Sequence, residues 1–151
     1  METSFKINHS SRKMLLGFLE NYTIDQLNTF PEGFSNNLIW NIGHCIVVQQ
    51  MLVYKLSDLP MMVSDAMVEQ YRKGTKPEQP AMQKEVDALK TLLFTTLEKT
   101  EADVAQDVFQ KYNEFTTGVG FRITNAAEAI AFNNYHEELH LGIMMQIRKF
   151  V

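Results

Sequence analysis

The sequence predicts an all-α fold: a four-helix bundle in up-down-down-up order, formed by one domain over residues 1–151. Apolar residues recur at helical spacing along most of the chain, and no long alternating run indicates a large sheet. A proline-containing connection from Ser57 to about Pro80 separates the second and third predicted helices. A connection of that length can carry the chain back along the bundle, so these two helices are expected to run parallel.

The first predicted helix covers about 8–21, and four apolar residues supply its buried stripe: Leu15, Leu16, Phe18 and Leu19. Thr23 and Gln26 then have capping-box spacing, which predicts a short helical turn. Pro31 and Gly33 end this pattern.

The second predicted helix starts at Asn37, a plausible N-cap, and continues to Leu56. It is apolar on nearly all sides, so it should be the most buried element. The connection that follows contains three prolines and one glycine, with one turn of helix expected near 65–72.

The third predicted helix covers about 81–101, with a core face made of Val86, Leu89, Leu92, Leu93 and Leu97. Gly118 and Gly120 next predict a turn or a small lid. The fourth helix should begin near Thr124 or Asn125 and continue to the end of the sequence, because Asn125 and Glu128 again have capping-box spacing.

Composition argues against several classes of partner. The net charge of −4 provides no basic surface for nucleic acid or for an anionic membrane. The single cysteine, Cys45, cannot form an internal disulfide, which fits a reducing cytoplasm. The first residues, "METSFKINHSSRK", lack the apolar core of a signal peptide, and polar residues interrupt the most apolar stretch. We therefore expect a cytoplasmic protein without a nucleic-acid or membrane partner.

The segment "NYHEELHLG", residues 134–142, contains the H-E-x-x-H pattern of zinc proteases. In a helix, His136 and His140 lie on one face, about one turn apart, and can bind one ion. The proteases need a further ligand downstream, but no His, Asp, Glu or Cys follows His140. The E-x-x-H pattern of di-iron bundles is also incomplete, because the second predicted helix contains no glutamate. Both of these site types are therefore excluded.

His44, in the middle of the second helix, is the remaining candidate for a third ligand. If the second and fourth helices are neighbours, His44, His136 and His140 form a three-histidine metal site with open coordination positions. The alternative is that these are ordinary core or surface histidines without a metal. His9 has no evident partner and is expected to be a surface residue or a cap.

Several other residues are candidates for roles around the histidines. Asn37, Trp40 and Asn133 are expected to line the pocket. Glu137 is a candidate for orienting a ligand or acting as a catalytic base, although a solvated glutamate is equally expected. Cys45 should point into the core. Three basic residues in the connection are candidates for holding an anionic cosubstrate: Arg72, Lys73 and Lys76.

Three stretches together resemble the DinB-like superfamily: "NNLIWNIGHCIVVQQMLVYKL", "YRKGTKP" and "FTTGVGFRITNAAEAIAFNNYHEELHLGIMMQIRK". The most specific feature is a Trp four residues before a His, followed much later by H-x-x-x-H with a nearby Gly. The resemblance implies an up-down-down-up bundle in which His44, His136 and His140 hold a divalent metal, and it implies that dimers are common. Some relatives transfer low-molecular-weight thiols such as bacillithiol or mycothiol, one branch isomerises maleylpyruvate, and others are described as hydrolases.

We therefore predict a metal-dependent transferase that uses a low-molecular-weight thiol, or a hydrolase, acting on a small-molecule substrate. Zn or Ni is the expected metal, with Fe or Mn as further candidates. A homodimer is expected. The alternative is a metal-binding or dimerising helical bundle of the stress-response type without catalytic turnover.

Overall fold

The computed structural model describes residues 1–151, and most of them are helical. The six α-helices are α1 (Glu2–Asn21), α2 (Ile24–Asn28), α3 (Leu38–Val53), α4 (Asp65–Tyr71), α5 (Gln83–Ala105) and α6 (Ala126–Ile147). A 3-10 turn, Lys55–Ser57, follows α3. Two short strands, β1 (Phe115–Thr116) and β2 (Arg122–Ile123), form an antiparallel hairpin. The predicted all-α class is confirmed, with this hairpin as its only sheet.

The helix starts follow the capping residues in the sequence. Thr23 caps α2 in a complete capping box with Gln26. The side-chain oxygen of Asn37 accepts the Trp40 N–H at the start of α3, over 2.9 Å. Asn125 caps α6 in the same way. These three predicted starts are confirmed, because each cap satisfies backbone donors that the helix leaves free.

Other predicted boundaries are wrong by several residues. α1 begins at Glu2 and not near residue 8, because Phe5 and Asn8 extend its buried face by two turns. α3 ends at Val53, three residues before Leu56, where the chain tightens into the 3-10 turn. α5 extends to Ala105, and α6 ends at Ile147, before the end of the chain.

The long connection between α3 and α5 contains α4, which confirms the helical turn expected near 65–72. Ser64 caps α4 through its hydroxyl oxygen. The ring of Tyr71, at the end of α4, lies directly over Gly43 of α3. A Cβ atom at Gly43 would be 2.5 Å from this ring, so the close approach of α4 to α3 requires a glycine there.

The turn predicted at Gly118 and Gly120 is confirmed as the tip of the β1–β2 hairpin. Phe115 pairs with Ile123 in the hairpin, and Gly120 has a φ of 84°, in the left-handed region that favours glycine. The hairpin leads directly into α6.

The four long helices pack against one another around an apolar core that consists of two clusters. α3 contacts α5 and α6, and α1 contacts the same two helices. As expected from its composition, α3 is buried along nearly its whole length. The main cluster includes Leu15, Ile42, Ile46, Leu93 and Met144. A smaller cluster, with Val53, Leu97 and Ile130, joins the hairpin residue Ile123 to the core.

None of the helices has the length and apolar character that crossing a lipid bilayer requires.

Candidate metal centre

Three histidines converge where α3 packs against α6. His44 comes from the middle of α3, and His136 and His140 come from consecutive turns of α6. One ring nitrogen from each residue lies within 4.8 Å of the other two, and the group contains no carboxylate. His44 is buried, whereas His136 and His140 are half-buried. The expected convergence of the three imidazoles is therefore present, and the group can hold a metal ion.

The spacing of the nitrogens fits a metal ion. The Nε2 atoms of His44 and His136 are 3.2 Å apart. Two imidazole nitrogens that each lie about 2.0–2.1 Å from a tetrahedral ion are separated by about 3.3–3.4 Å. The pair is thus already close to the separation that a shared cation requires.

Hydrogen bonds determine which nitrogen of His44 and of His140 is free. His44 Nδ1 lies 2.6 Å from the Tyr71 carbonyl oxygen, which can only accept, so Nδ1 carries the proton. His140 Nδ1 lies 2.8 Å from Asn41 Oδ1. The Nδ2 of Asn41 donates to the Asn37 carbonyl over 2.7 Å, which orients the amide so that Oδ1 faces His140. Both Nε2 atoms therefore offer a lone pair, the usual arrangement of histidines that bind metals.

His136 is not satisfied by protein groups alone. Its Nδ1 is buried and has no hydrogen-bond partner, while its Nε2 faces the Nε2 of His44. If His136 Nε2 carries the proton, the buried Nδ1 lone pair has no donor; if Nδ1 carries it, two Nε2 lone pairs repel each other. A cation held by the three histidines would remove this repulsion between lone pairs, although the Nδ1–H of His136 would still lack an acceptor in the protein. The donor set therefore fits a divalent metal.

The environment keeps all three imidazoles neutral. Burial and, after it, repulsion from the charges that His140 and His44 carry when protonated together lower the pKa of His136 to about 2. Burial, followed by the charge of His44, lowers the pKa of His140 to about 4. Burial also lowers the pKa of His44; the hydrogen bond to Tyr71 opposes this shift and the charge of Lys73 adds to it. Near neutral pH the lone pairs are therefore available to a metal without loss of a proton.

The family model of the DinB superfamily matches residues 8–144 of this chain. The chain belongs to the DinB superfamily. The matched range contains all three histidines and most of the four long helices. No curated protein matches the chain. The superfamily is associated with metal binding, which agrees with a group of three neutral imidazoles.

Trp40 of this DinB-superfamily member lies against the metal centre. Its ring stacks on His44 with centroids 4.5 Å apart and planes 13° apart. Its Nε1 donates to the Thr75 hydroxyl over 3.1 Å. Trp40 therefore holds the His44 ring in place. Asn37 has a different position: its amide caps α3 and donates to the Asn28 carbonyl, so both of its polar atoms are bonded to backbone.

Glu137 lies next to His136 in the sequence but is bonded elsewhere. Its side chain has no solvent exposure and pairs with Arg12 of α1, whose Nε and Nη2 donate to the two carboxylate oxygens over 2.9 and 2.6 Å. Asn133 Nδ2 donates to the same carboxylate over 2.7 Å. The solvated glutamate expected as the alternative is wrong. Glu137 makes no hydrogen bond to a histidine, and both of its carboxylate oxygens are bonded to Arg12.

Three further predictions about individual residues have clear outcomes. Cys45 is buried in the core, as expected. The expectation that His9 has no partner is wrong, since its Nε2 lies 2.9 Å from a carboxylate oxygen of Glu101 on α5. Among the basic residues of the connection, Arg72 pairs with Glu69 and does not hold a free charge.

Arg12 and the Tyr71 carbonyl contribute to the site but were not predicted from the sequence. Arg12 had a signal, because it lies on the buried face of α1 between Asn8 and Leu15, where a charge requires a partner. The Tyr71 contact had none, since a backbone carbonyl has no signature in the sequence.

Proposed function

We propose that this protein is a divalent-metal-dependent transferase that uses a low-molecular-weight thiol, or a hydrolase of similar design. The observation that carries the proposal is the convergence of three neutral imidazoles, without a carboxylate, from two packed helices. A divalent cation with three such ligands and open positions supplies Lewis acidity that lowers the pKa of a coordinated thiol or water towards neutrality. Thiolate is the nucleophilic form of a thiol.

In this proposal the protein residues bind and orient. His44, His136 and His140 hold the ion, and Tyr71 and Asn41 keep two of the rings in the required tautomer. The cosubstrate thiol would release its proton to solvent, and its sulfur would form a bond to the electrophilic carbon while the bond from that carbon to the leaving group breaks and the leaving group departs with the bonding electrons. In the hydrolase version, water takes the place of the thiol.

The metal we propose is Zn or Ni, with Fe next. All three accept imidazole ligands, and three histidines without a carboxylate suit them better than Mn, which prefers oxygen. Elemental analysis of freshly purified protein identifies the ion.

We assign Trp40 to the pocket wall, because it stacks on His44. Glu137 and Asn133 are assigned a positioning role, since they join α6 to Arg12 of α1 and thereby support the turn that carries His136. Asn37 supports the site indirectly. Its side chain caps α3, and its backbone carbonyl accepts a hydrogen bond from Asn41 Nδ2.

We further propose an up-down-down-up four-helix bundle in one domain over residues 1–151. Its support is the order of contacts between helix pairs. In two helix pairs the residue numbers of the contacting residues increase in the same direction along both helices, as parallel neighbours require. These contacts are Ser4–Asn134 and Ser11–Glu138 between α1 and α6, and Gln49–Thr100 and Tyr54–Asp103 between α3 and α5. Contacts between α3 and α6 run in opposite directions: His44–His136 and Asn41–His140.

The proposal is tested with wild-type protein and a His44→Ala variant. Wild type should contain about one divalent ion per chain, and His44→Ala should lose most of it. Metal-loaded wild type is then assayed for conjugation of cysteine, glutathione, bacillithiol and mycothiol to 1-chloro-2,4-dinitrobenzene, and for hydrolysis of ester and amide probes. A metal-loaded protein that turns over none of these substrates would contradict the enzyme proposal and leave metal binding intact.

A non-catalytic, dimerising bundle is the second candidate, and one surface feature favours it. Tyr135, Leu139 and Ile143 form an apolar stripe along α6, with side chains 53%, 50% and 36% exposed. We propose that this stripe forms a homodimer interface. Light scattering should show a dimer for wild type and a monomer for Leu139→Glu, while a monomeric wild type would contradict the proposed interface.

If a His44→Ala, His140→Ala double variant keeps the cellular function, the protein acts as a scaffold and not as an enzyme.

The proposed setting is the cytoplasm, with a small-molecule partner. The single buried cysteine and the absence of a disulfide are its support.

A further inference from the structure

We propose that Lys73 binds an anionic group of the substrate beside the three-histidine centre, so that the protein selects small molecules that carry a carboxylate or a similar anion. This inference rests on the proposed function and deepens it. It assigns a specificity residue and a substrate class to the same site.

The first support is the position of Lys73 along the chain. Lys73 follows by two residues Tyr71, whose carbonyl accepts the Nδ1 proton of His44 over 2.6 Å. Two residues span at most about 7 Å, so the backbone of Lys73 is confined to the neighbourhood of His44. Lys73 is solvent-exposed, so a ligand can reach it.

The second support is the contact of Lys73 with the hairpin. A Cβ atom at Gly118 would lie 3.0 Å from Lys73 Nζ, which places the ammonium against the hairpin tip. The hairpin is fixed beside the centre, because Phe121 stacks on Phe132 with centroids 5.6 Å apart and Phe132 precedes His136 by one helical turn. The ammonium thus lies between two segments that border the histidines.

The third support is the distribution of charge. Lys73 takes part in no hydrogen bond and no ion pair, whereas the neighbouring Arg72 is neutralised by Glu69 over 2.9 Å. The histidine group contains no carboxylate, and a divalent ion adds two further positive charges. None of the three histidines is bonded to a carboxylate, so the unpaired ammonium of Lys73 and a bound divalent ion would both favour a ligand that brings its own negative charge.

The experiment uses cobalt-loaded full-length protein and two thiol probes of similar size. 3-Mercaptopropionate carries a carboxylate and 2-mercaptoethanol does not; binding of either sulfur to Co²⁺ is followed by charge-transfer absorption. Lys73→Gln should weaken 3-mercaptopropionate by at least about tenfold, the size expected for a hydrogen bond between charged groups, and should leave 2-mercaptoethanol unchanged. The preference of wild type for the anionic thiol should also decrease with added salt, which a purely structural lysine would not cause.

Lys76→Gln is the matched control. Lys76 lies in the same connection, is exposed and has neither an ion pair nor a hydrogen bond, so both probes should bind this variant as they bind wild type. Equal weakening of the two thiols by Lys73→Gln, or no weakening of either, would overturn the Lys73 assignment and leave thiol binding intact.

A different result would show that the proposed function fails and would leave the Lys73 assignment to be tested separately. If Co²⁺ binds but neither thiol reaches it, the thiol-transferase proposal is wrong, and Lys73 is tested with propionate and propionamide through the d–d spectrum of Co²⁺. Weaker propionate binding in Lys73→Gln would then still support the anion site, and identical affinities would reject it. If the protein takes up no Co²⁺, both proposals are wrong.

Discussion

The Nδ1 atom of His44 and the backbone oxygen of Tyr71 lie 2.6 Å apart, which joins the three-histidine group to the connecting helix α4. Tyr71 also fills the space over Gly43, one residue before His44. The connection between α3 and α5 is therefore part of the site, because it determines which nitrogen of His44 is free to bind an ion.

Gly43→Ala should disturb the metal centre without changing a ligand. The new Cβ would be 2.5 Å from the Tyr71 ring, so α4 must move and the bond between His44 and the Tyr71 carbonyl is weakened. We expect metal affinity to fall about 10–100-fold and stability to fall by about 1–3 kcal/mol. Metal titration and denaturant unfolding measure the two effects.

Gly17→Ala is the control for the Gly43 variant. Gly17 also lies inside a helix, but a Cβ atom added there would have a side-chain nitrogen at 3.9 Å as its nearest neighbour. This variant should keep full metal affinity and should gain roughly 0.5–1 kcal/mol of stability from helix propensity. Equal metal affinities of the Gly43 and Gly17 variants would show that Tyr71 does not orient His44.

Arg12→Met should be strongly destabilising. It leaves the fully buried carboxylate of Glu137 without its charged partner, and removing one partner of such a pair costs roughly 3–5 kcal/mol. The Arg12→Met, Glu137→Met double variant should recover most of this loss, because no buried charge then remains. Urea unfolding of wild type, the single variant and the double variant measures the free energy of unfolding of each.

The exposed pair of Lys6 and Glu2, in the same helix, provides the comparison. Lys6→Met should change the free energy of unfolding by less than about 1 kcal/mol, as is usual for ion pairs in water. A loss in Arg12→Met no larger than in Lys6→Met would mean that the Arg12–Glu137 pair does not stabilise the fold.

The metal-free protein should lose stability on mild acidification. The pKa of His140 is lowered from 6.5 to about 4 and that of His136 to about 2, so below pH 6.5 the unfolded chain binds more protons than the folded one. Stability should therefore fall as the pH decreases from 6.5 towards 4 through His140, and further towards 2 through His136. Thermal unfolding in the presence of a chelator measures this trend.

A His136→Gln variant should show a smaller decrease of the melting temperature between about pH 6.5 and about pH 4, because one of the titrating groups is removed. If wild type and variant decrease in parallel, the pKa of His136 is the same in the folded and the unfolded chain, and the lowered pKa described above is incorrect.

Removal of single histidines should separate ligands from bystanders. His136→Ala deletes one of three converging nitrogens and should lower bound metal to a small fraction of the wild-type content. His9→Ala removes a histidine that pairs only with Glu101, so its metal content should equal that of wild type. Metal analysis after equilibrium dialysis distinguishes these outcomes, and similar metal loss in both variants would argue against the three-histidine site.

Local patterns made much of this molecule predictable. Thr23, Asn37 and Asn125 each start a helix because a short polar side chain binds backbone donors a few residues away. The helical spacing of His136 and His140 was likewise sufficient to place them on one face. Their meeting with His44 was predictable only after assuming that α3 and α6 are neighbours.

Contacts that depend on distant segments were not predictable. The environment of Glu137 is determined by Arg12 of α1, which is far away in the sequence, and so its burial could not be read from α6 alone. The tautomer of His44 depends on a backbone atom of the connection. The early start of α1 was missed because Phe5 and Asn8 are isolated from the longer apolar run that follows.

The β1–β2 hairpin has a buried base and an exposed tip. Its base is fixed by the buried Ile123 and by the stack of Phe121 on Phe132, whereas Val119 at the tip is 66% exposed. Val119 can therefore be exchanged without disturbing the histidines or the apolar interior, whereas Gly120 has a positive φ and Gly118 lies against Lys73.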